Sequence, residues 1–203
     1  MPYPRTPILD TFSRADENPL TSTNWATSLN NGCKLVSNQC VQVGPTAFDA
    51  STWKTIMGSL DMEVYATLGT VPASDTDVQL IARQANQTDF TGRYMHLNMV
   101  NSAGGTTWNL TLYANDGVDR FLATISLGSA FVVGDHVWLK SVNNVHEVYY
   151  NGVLMFSVTD TNNYVPAGNY IGLLFGANSA AGFKNFGGGM LPGVNKLLFI
   201  AAV

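Results

Sequence analysis

Residues 136–158, HVWLKSVNNVHEVYYNGVLMFSV, leave this chain few choices of fold. They alternate apolar and polar residues and are cut by two turn signals, Asn143-Asn144 and Asn151-Gly152. Asn and Gly tolerate the positive φ of a type I′ turn, and Asn-Gly is the strongest short hairpin signal. The stretch therefore predicts three consecutive antiparallel strands. Two-residue turns set the register by counting: Val142 faces Val145, Lys140 faces Glu147, Trp138 faces Tyr149, Tyr150 faces Val153 and Val148 faces Met155. One side then carries Val137, Leu139, Val148, Tyr150, Val153 and Met155 and reads as core. The other carries Trp138, Lys140, Glu147, Tyr149, Leu154 and Phe156. An ion pair does not belong in a dry core unless it is compensated. That second side is expected to be solvated, or to meet a ligand or a partner.

The same period of two runs through the rest of the chain. Residues 60–68 alternate Met62, Val64, Ala66 and Leu68 against Asp61, Glu63 and Tyr65. Residues 77–86 set Val78, Leu80 and Ala82 against Gln79, Ile81 and Arg83. Residues 92–101 place Met95, Leu97 and Met99 inward and Tyr94, His96 and Asn98 outward. Residues 108–114 place Trp108, Leu110 and Leu112 inward, with Asn109, Thr111 and Tyr113 outward. In 120–127, Phe121, Ala123, Ile125 and Leu127 oppose Leu122, Thr124 and Ser126. Further strands are expected at 8–12, near Trp25, across 33–43, at 170–177 and at 183–191. No amphipathic helix is visible. Many short strands with turn signals between them predict an all-β fold, a single antiparallel β-sandwich or jelly roll. Residues 1–7, with three prolines, read as an extended arm. The sandwich covers 8–191, and 192–203 form an apolar tail or final strand.

Composition narrows the function. Of 203 residues only 12% are charged while 46% are hydrophobic, against about a quarter charged in typical domains. Such a surface suits a subunit of an assembly or an extracellular domain. The net charge of −4 and ten scattered Lys and Arg provide no basic field for nucleic acid. No apolar run approaches the ~20 residues of a membrane helix. The N-terminus lacks a secretory signal pattern. Synthesis in a cytosol is expected, with incorporation into a virus particle as one route to the outside. In CKLVSNQCV, a Ser37-Asn38 turn sets Leu35 opposite Cys40 and leaves Cys33 diagonal to it, a poor disulfide geometry; a slipped turn would set them face to face. Free, buried thiols are expected. Leu197–Val203, LLFIAAV, would invite aggregation if exposed. It is expected either to form a last strand or to pair with a neighbouring subunit.

Several segments together carry a resemblance. DTFSRADENPL…NW (Asp10 to Trp25), GDHVWLKSVNNVHEVYYNGVLMFSVTD (Gly134 to Asp160), and AGNYIGLLFG followed by GFKNF (Ala167 to Phe186) resemble the concanavalin A-like lectin/glucanase superfamily, in its laminin-G-like branch, of the kind found in phage virion surface proteins. The resemblance spans most of residues 8–191. Lys184 stands where the family often has an Asp, so a calcium role for that position is not carried over.

The resemblance implies glycan binding on the polar face of a sheet, by aromatic stacking and planar amides. The candidate glycan or partner face here is Arg83, His96, Asn98, Asn109, Tyr113, Trp138, Lys140, Glu147 and Tyr149, with Gln79 and Tyr94 beside them. The alternative is a solvated or subunit-facing sheet surface. Asp61 and Glu63 form a close acidic pair on one strand side. The family's catalytic Glu-x-Asp-x-x-Glu spacing is missing, so a solvated strand face is expected and no catalytic residue is assigned. His96, His136 and His146 have no ligand spacing, and the oxygen-rich runs 115–119 and 160–163 read as turns rather than calcium sites. No metal and no cofactor are expected. The expected function is a non-enzymatic phage virion protein, a capsid decoration or tail-surface subunit. Its partners would be other virion subunits, further copies of itself and possible glycans. A glycan-binding module is the alternative, and a glycoside hydrolase the third reading.

Overall fold

The computed structural model describes residues 4–22, 24–45, 47–88, 90, 92–102 and 104–192. The apolar segment Leu197–Val203 lies outside the described residues. Among them there is no helix. The strands are β1 (Ile8–Asp10), β2 (Trp25–Leu29), β3 (Cys33–Val36), β4 (Gln39–Gln42), β5 (Asp49–Trp53), β6 (Met62–Thr70), β7 (Thr76–Gln84), β8 (Tyr94–Ser102), β9 (Thr107–Asn115), β10 (Asp119–Leu127), β11 (His136–Val142), β12 (Val145–Tyr150), β13 (Val153–Thr159), β14 (Tyr170–Phe175) and β15 (Gly182–Met190). An 8-stranded sheet runs β13-β12-β11-β6-β15-β4-β3, with β1 added beside β15. A 7-stranded sheet runs β10-β9-β8-β7-β14-β5-β2. All their pairings are antiparallel.

The two sheets face each other across one core. Val64, Ala66, Leu68, Val137, Leu139 and Val148 come from the larger sheet; Val78, Leu80, Met95, Leu97, Leu110, Leu112, Ile171 and Leu173 come from the smaller. Each is buried, and each Val, Leu, Ile or Met side chain among them contributes about 1.5–3 kcal/mol relative to exposure. The inward positions of β6, β7, β8 and β9 are those the alternation predicts.

The hairpin stretch folds as counted over its first turn: Val142 pairs with Val145, Lys140 with Glu147 and Trp138 with Tyr149. The turns themselves differ. Asn151 (φ 49°) and Gly152 (φ 79°) both take the positive φ of a type I′ turn, whereas in the first turn only Asn143 (φ 51°) does. The second hairpin departs from the expected register. Tyr150 pairs with Val153, but Val148 pairs with Phe156 rather than Met155, because a bulge inserts Met155. Phe156 thus joins the core side, against which it packs. A second bulge in β10 pairs Phe121 with Tyr113 and Ala123 with Leu112. Phe121 is turned outward, 58% exposed, and Leu122 packs inward with Ile125 and Leu127. A bulge places two residues opposite one and so exchanges the faces beyond it.

The DTFSRADENPL…NW segment is a structural knot around Asp10. Asp10 Oδ1 accepts from the Phe12 amide and from Arg14 Nη1, both at 2.7 Å, while Oδ2 accepts from Trp25 Nε1 at 2.7 Å. Arg14 Nε continues to Glu17 Oε1 at 2.5 Å. Glu17 and Leu35 exchange backbone bonds, and the Leu20 amide donates to Cys33 O. The knot closes the end of the sandwich over Trp25. In β3–β4, Leu35 faces Cys40 and Cys33 faces Gln42. Both thiols are free and buried. Burial first, then the hydrogen bond with Cys33, pushes the Cys40 thiol well up.

One strand face is corrected. Asp61 and Glu63 were expected to face solvent, yet Asp61 is buried and Glu63 is 0% exposed. Residues 5–6 lie across the sheet and cap Glu63. The Arg5 amide, the Thr6 amide and Thr6 Oγ1 all donate to its Oε1, at 2.5, 2.7 and 2.8 Å. Tyr65 OH donates to Thr6 O at 2.8 Å. The Tyr65 ring reaches there by crossing Gly187, where a Cβ would sit 2.2 Å from its Cζ. Strand alternation shows which side a residue takes, but not that a distant segment covers that side. Glu63→Ala leaves three donors without their acceptor. It is expected to cost about 2–3 kcal/mol and to speed hydrogen exchange at the Thr6 amide, while the β11–β12 amides stay protected.

Candidate functional site

The nine candidate residues fall on three separate surfaces. Strand order decides this: β7–β9 belong to one sheet and β11–β12 to the other, so their outward faces lie on opposite sides of the sandwich.

His96, Asn98, Asn109 and Tyr113 come together on the outer face of the 7-stranded sheet. Cross-strand pairs set them in rows, Ile81–His96–Tyr113–Phe121 and Gln79–Asn98–Thr111–Thr124. His96 is the buried centre. Its Nδ1 lies 2.9 Å from both Gln79 Oε1 and Asn98 Oδ1, and its Nε2 lies 3.1 Å from Asp119 Oδ1. Gln79 Nε2 donates to Asp77 Oδ2 at 2.5 Å, which turns the amide oxygen towards His96. Tyr113 stacks on His96 with ring centroids 5.1 Å apart. Asn109 completes the next row, donating to Ser102 Oγ and accepting from Ser126 Oγ.

Of this network Gln79, His96, Asn98, Ser102 and Asp119 line a 440 Å³ cleft, while Asn109 and Tyr113 lie beside it. Asp75, Asp77 and Phe48 line it too. Phe48 is 48% exposed and offers an open ring. Burial pushes the Asp77 carboxyl up, opposed by its hydrogen bond from Gln79. Asp119 is held below the usual carboxylate range, chiefly by the hydrogen bond from His96. Sequence reading missed Phe48, Asp75, Asp77 and Asp119. Residues 71–76 read as a turn and Asp77 as the start of a strand, and the carboxylates of Asp75 and Asp77 become cleft residues only because β14 and β8 flank β7.

Trp138, Lys140, Glu147 and Tyr149 share the outer face of the 8-stranded sheet. Lys140 Nζ reaches Glu147 Oε2 at 2.6 Å, and Tyr149 OH donates to the same oxygen at 2.8 Å. Lys140 chiefly holds the Glu147 carboxyl down; burial, then Glu147, pushes the Tyr149 hydroxyl up to about 12. Trp138 is only 4% exposed. It stacks on Tyr149 at 4.2 Å and 19° and packs with Tyr65. One ring face is taken by Tyr149, and its low exposure leaves almost no ring surface open to a ligand.

Arg83 joins neither face. A bulge in β7 against β14 and a φ of 52° turn it into the end of the sandwich. There its Nε donates to Leu60 O at 2.9 Å and its Nη2 to Asn143 O.

Asp160 accepts from the Asn162 and Tyr164 amides, and Asp116 from the Val118 amide and Arg120 Nε. Both oxygen-rich runs are thus self-capped turns. Among the described residues no group of three or more His, Cys, Asp or Glu is placed to hold a metal ion.

No protein-family model matches the chain, and no curated protein sequence matches it. Solved structures do. The carbohydrate binding module CBM66 from Bacillus subtilis is similar over 83% of this chain and 97% of its own, with TM-score 0.64 and 13% identity. The Emp47p carbohydrate recognition domain matches over 86% and 94%, with TM-score 0.56 and 17% identity. The exoplasmic/lumenal domain of VIP36, in a Ca²⁺/Man2-bound form, matches over 83% and 81%, with TM-score 0.58 and 10% identity. Together with the two packed antiparallel sheets, these likenesses show that the chain has the concanavalin A-like lectin/glucanase fold.

Proposed function

We propose that this protein is a non-enzymatic carbohydrate-binding module whose glycan lies in the cleft on the 7-stranded sheet. One observation carries the reading: an exposed Phe48 ring stands beside the fixed polar groups of Asp77, Gln79 and Asn98 in a single cleft. Sugar CH faces pack on aromatic rings, while carboxylates and planar amides bond hydroxyls in defined directions. The fold relatives whose names describe carbohydrate binding or recognition support it. A binding rather than hydrolytic role fits the carboxylates. Glu63 is sealed under residues 5–6. Asp77 and Asp119 are linked through Gln79 and His96 rather than facing each other across an open gap, as a glycosidase pair must.

A glycan array followed by calorimetry on the best binder tests this. Asp77→Ala and Phe48→Ala are each expected to weaken binding by about 10–100-fold. Trp138→Ala, on the opposite face, should leave the affinity unchanged. An array without binders, or full affinity in both cleft variants, would end the proposal.

A second reading, a capsid-decoration or tail-surface subunit of a phage virion, is favoured by one surface feature. Asn151 Nδ2 donates to Asp135 Oδ1 at 2.8 Å and ties together two segments that carry exposed Val132, Val133, Val153 and Leu154. Exposed apolar groups of this kind mark contact surfaces. Co-sedimentation with phage particles, lost in the Val133→Asp/Leu154→Asp variant, is the expected result. A strict monomer that never attaches to particles would rule this reading out.

A further inference from the structure

A second polar pocket opens at the other end of β7. Asp77 and Arg83 are six residues apart on that strand, about 20 Å at 3.3 Å per residue. The pocket measures 380 Å³, within the range of small-molecule sites, and Asp61, Arg83, Asn143 and Asn163 line it beside Leu60 and Pro166.

Arg83 is 2% exposed. Its left-handed backbone is held by Gly168, where a Cβ would lie 1.9 Å from Arg83 O. Its two carbonyl bonds, to Leu60 and Asn143, fix the guanidinium plane. Among the described residues Nη1 has no hydrogen-bond partner, and no carboxylate lies within ion-pair distance of Arg83. Nη1 is not sealed from solvent, so this fixed cationic donor opens on the pocket and is free to take an acceptor from a ligand. Next to it, Asp61 spends Oδ1 on the Asn143 amide at 2.6 Å and has no described partner for Oδ2. Asn143 (φ 51°) and Asn163 (φ 49°) hold their side chains at the rim from left-handed turns.

We propose that this end pocket is a second ligand site, taking the terminal ring of a neutral sugar end-on, with adjacent hydroxyls bridging Arg83 Nη1 and Asp61 Oδ2. A sugar hydroxyl both donates and accepts, and two neighbouring hydroxyls match a free cationic donor beside a free carboxylate acceptor. Leu60 and Pro166 provide apolar contact for the ring. Charge selects a neutral ligand. The carboxylates of Asp61 and Asp160 both act on the single guanidinium, so an anionic sugar would add a third negative charge to one positive one. The site goes beyond the cleft reading and does not rest on it.

The test uses the ¹⁵N-labelled full chain, titrated with the methyl glycosides of glucose, galactose, mannose and fucose, and with methyl glucuronide as the charged counterpart. A neutral glycoside is expected to move the Arg83 Nε–H and the Asn143 and Asn163 side-chain amide signals saturably, with the glucuronide weaker. Asn143→Gly/Asn163→Gly removes both amides at positions where glycine is unstrained and is expected to weaken binding at least 10-fold, as is Asp61→Asn. Asp77→Ala should leave these shifts intact, which separates this site from the cleft. No saturable shift with any neutral glycoside, tighter binding of the glucuronide, or unchanged affinity in the double glycine variant overturns the proposal.

Discussion

Trp25→Ala is expected to lower the unfolding free energy by about 3–5 kcal/mol. Trp25 is fully buried and is where the two sheets and the N-terminal knot meet. Its ring lies 4.9 Å from Phe186 of β15, 5.3 Å from Trp53 of β5 and 5.9 Å from Phe12. Truncation removes the ring from all three and leaves a cavity that three rigid aromatics cannot collapse to fill. It also deprives Asp10 Oδ2 of its indole donor. Trp25→Phe restores most of the packing but not that donor, so it should cost about 1–3 kcal/mol. Urea denaturation of the three proteins checks the order. Equal midpoints for wild type and Trp25→Ala would show that the knot does not anchor the sheets.

Acid is expected to destabilise the protein by about 3 kcal/mol between pH 7 and pH 4 through His146 alone. His146 lies on the core side of β12, fully buried. Its Nδ1 pairs with Ser141 Oγ at 3.0 Å, and Nε2 has no partner among the described residues. Burial, and then the nearby Arg83 charge, lower its pKa to about 3, against an unfolded value of about 6.5. Between those values the unfolded chain takes up a proton that the folded one refuses. Stability therefore rises with pH in that window and is lost as pH falls from 6.5 towards 3. His136, also lowered by burial, adds a contribution of the same sign. Asp77, pushed up by burial, works the other way at lower pH. The Ser141→Ala/His146→Leu variant removes both ends of the buried bond. Its unfolding free energy should vary less across pH 7 to 4 by about the same 3 kcal/mol. An unchanged slope would mean that His146 protonates in place.

The candidate face was only partly legible. His96, Asn98, Asn109 and Tyr113 were found by alternation and do converge. Trp138, Lys140, Glu147 and Tyr149 were found by the same rule and lie together, but on the opposite side of the sandwich. Alternation distinguishes in from out within a strand; it carries nothing about which sheet the strand joins. Glu63 illustrates the second gap. Its outward position was legible, its burial under residues 5–6 was not, because that contact spans 57 residues or more of chain. Phe48, Asp75, Asp77 and Asp119 were missed for a related reason: they gather from three separate segments around a strand end.

What the sequence by itself determined is the all-β character, the inward face of most strands and the first hairpin register. These depend on a period of two and on turn residues with positive φ, both local properties. Tertiary structure alone decided the rest. The bulges at Arg83, Leu122 and Met155 exchange faces because a single extra residue shifts the pleat by one. One of them takes Arg83 off the sheet and into the end pocket, and the β10 bulge sets Phe121 beside Tyr113. Pairing between distant strands placed the cleft, since long-range contacts follow from how two sheets bury one core rather than from any local pattern.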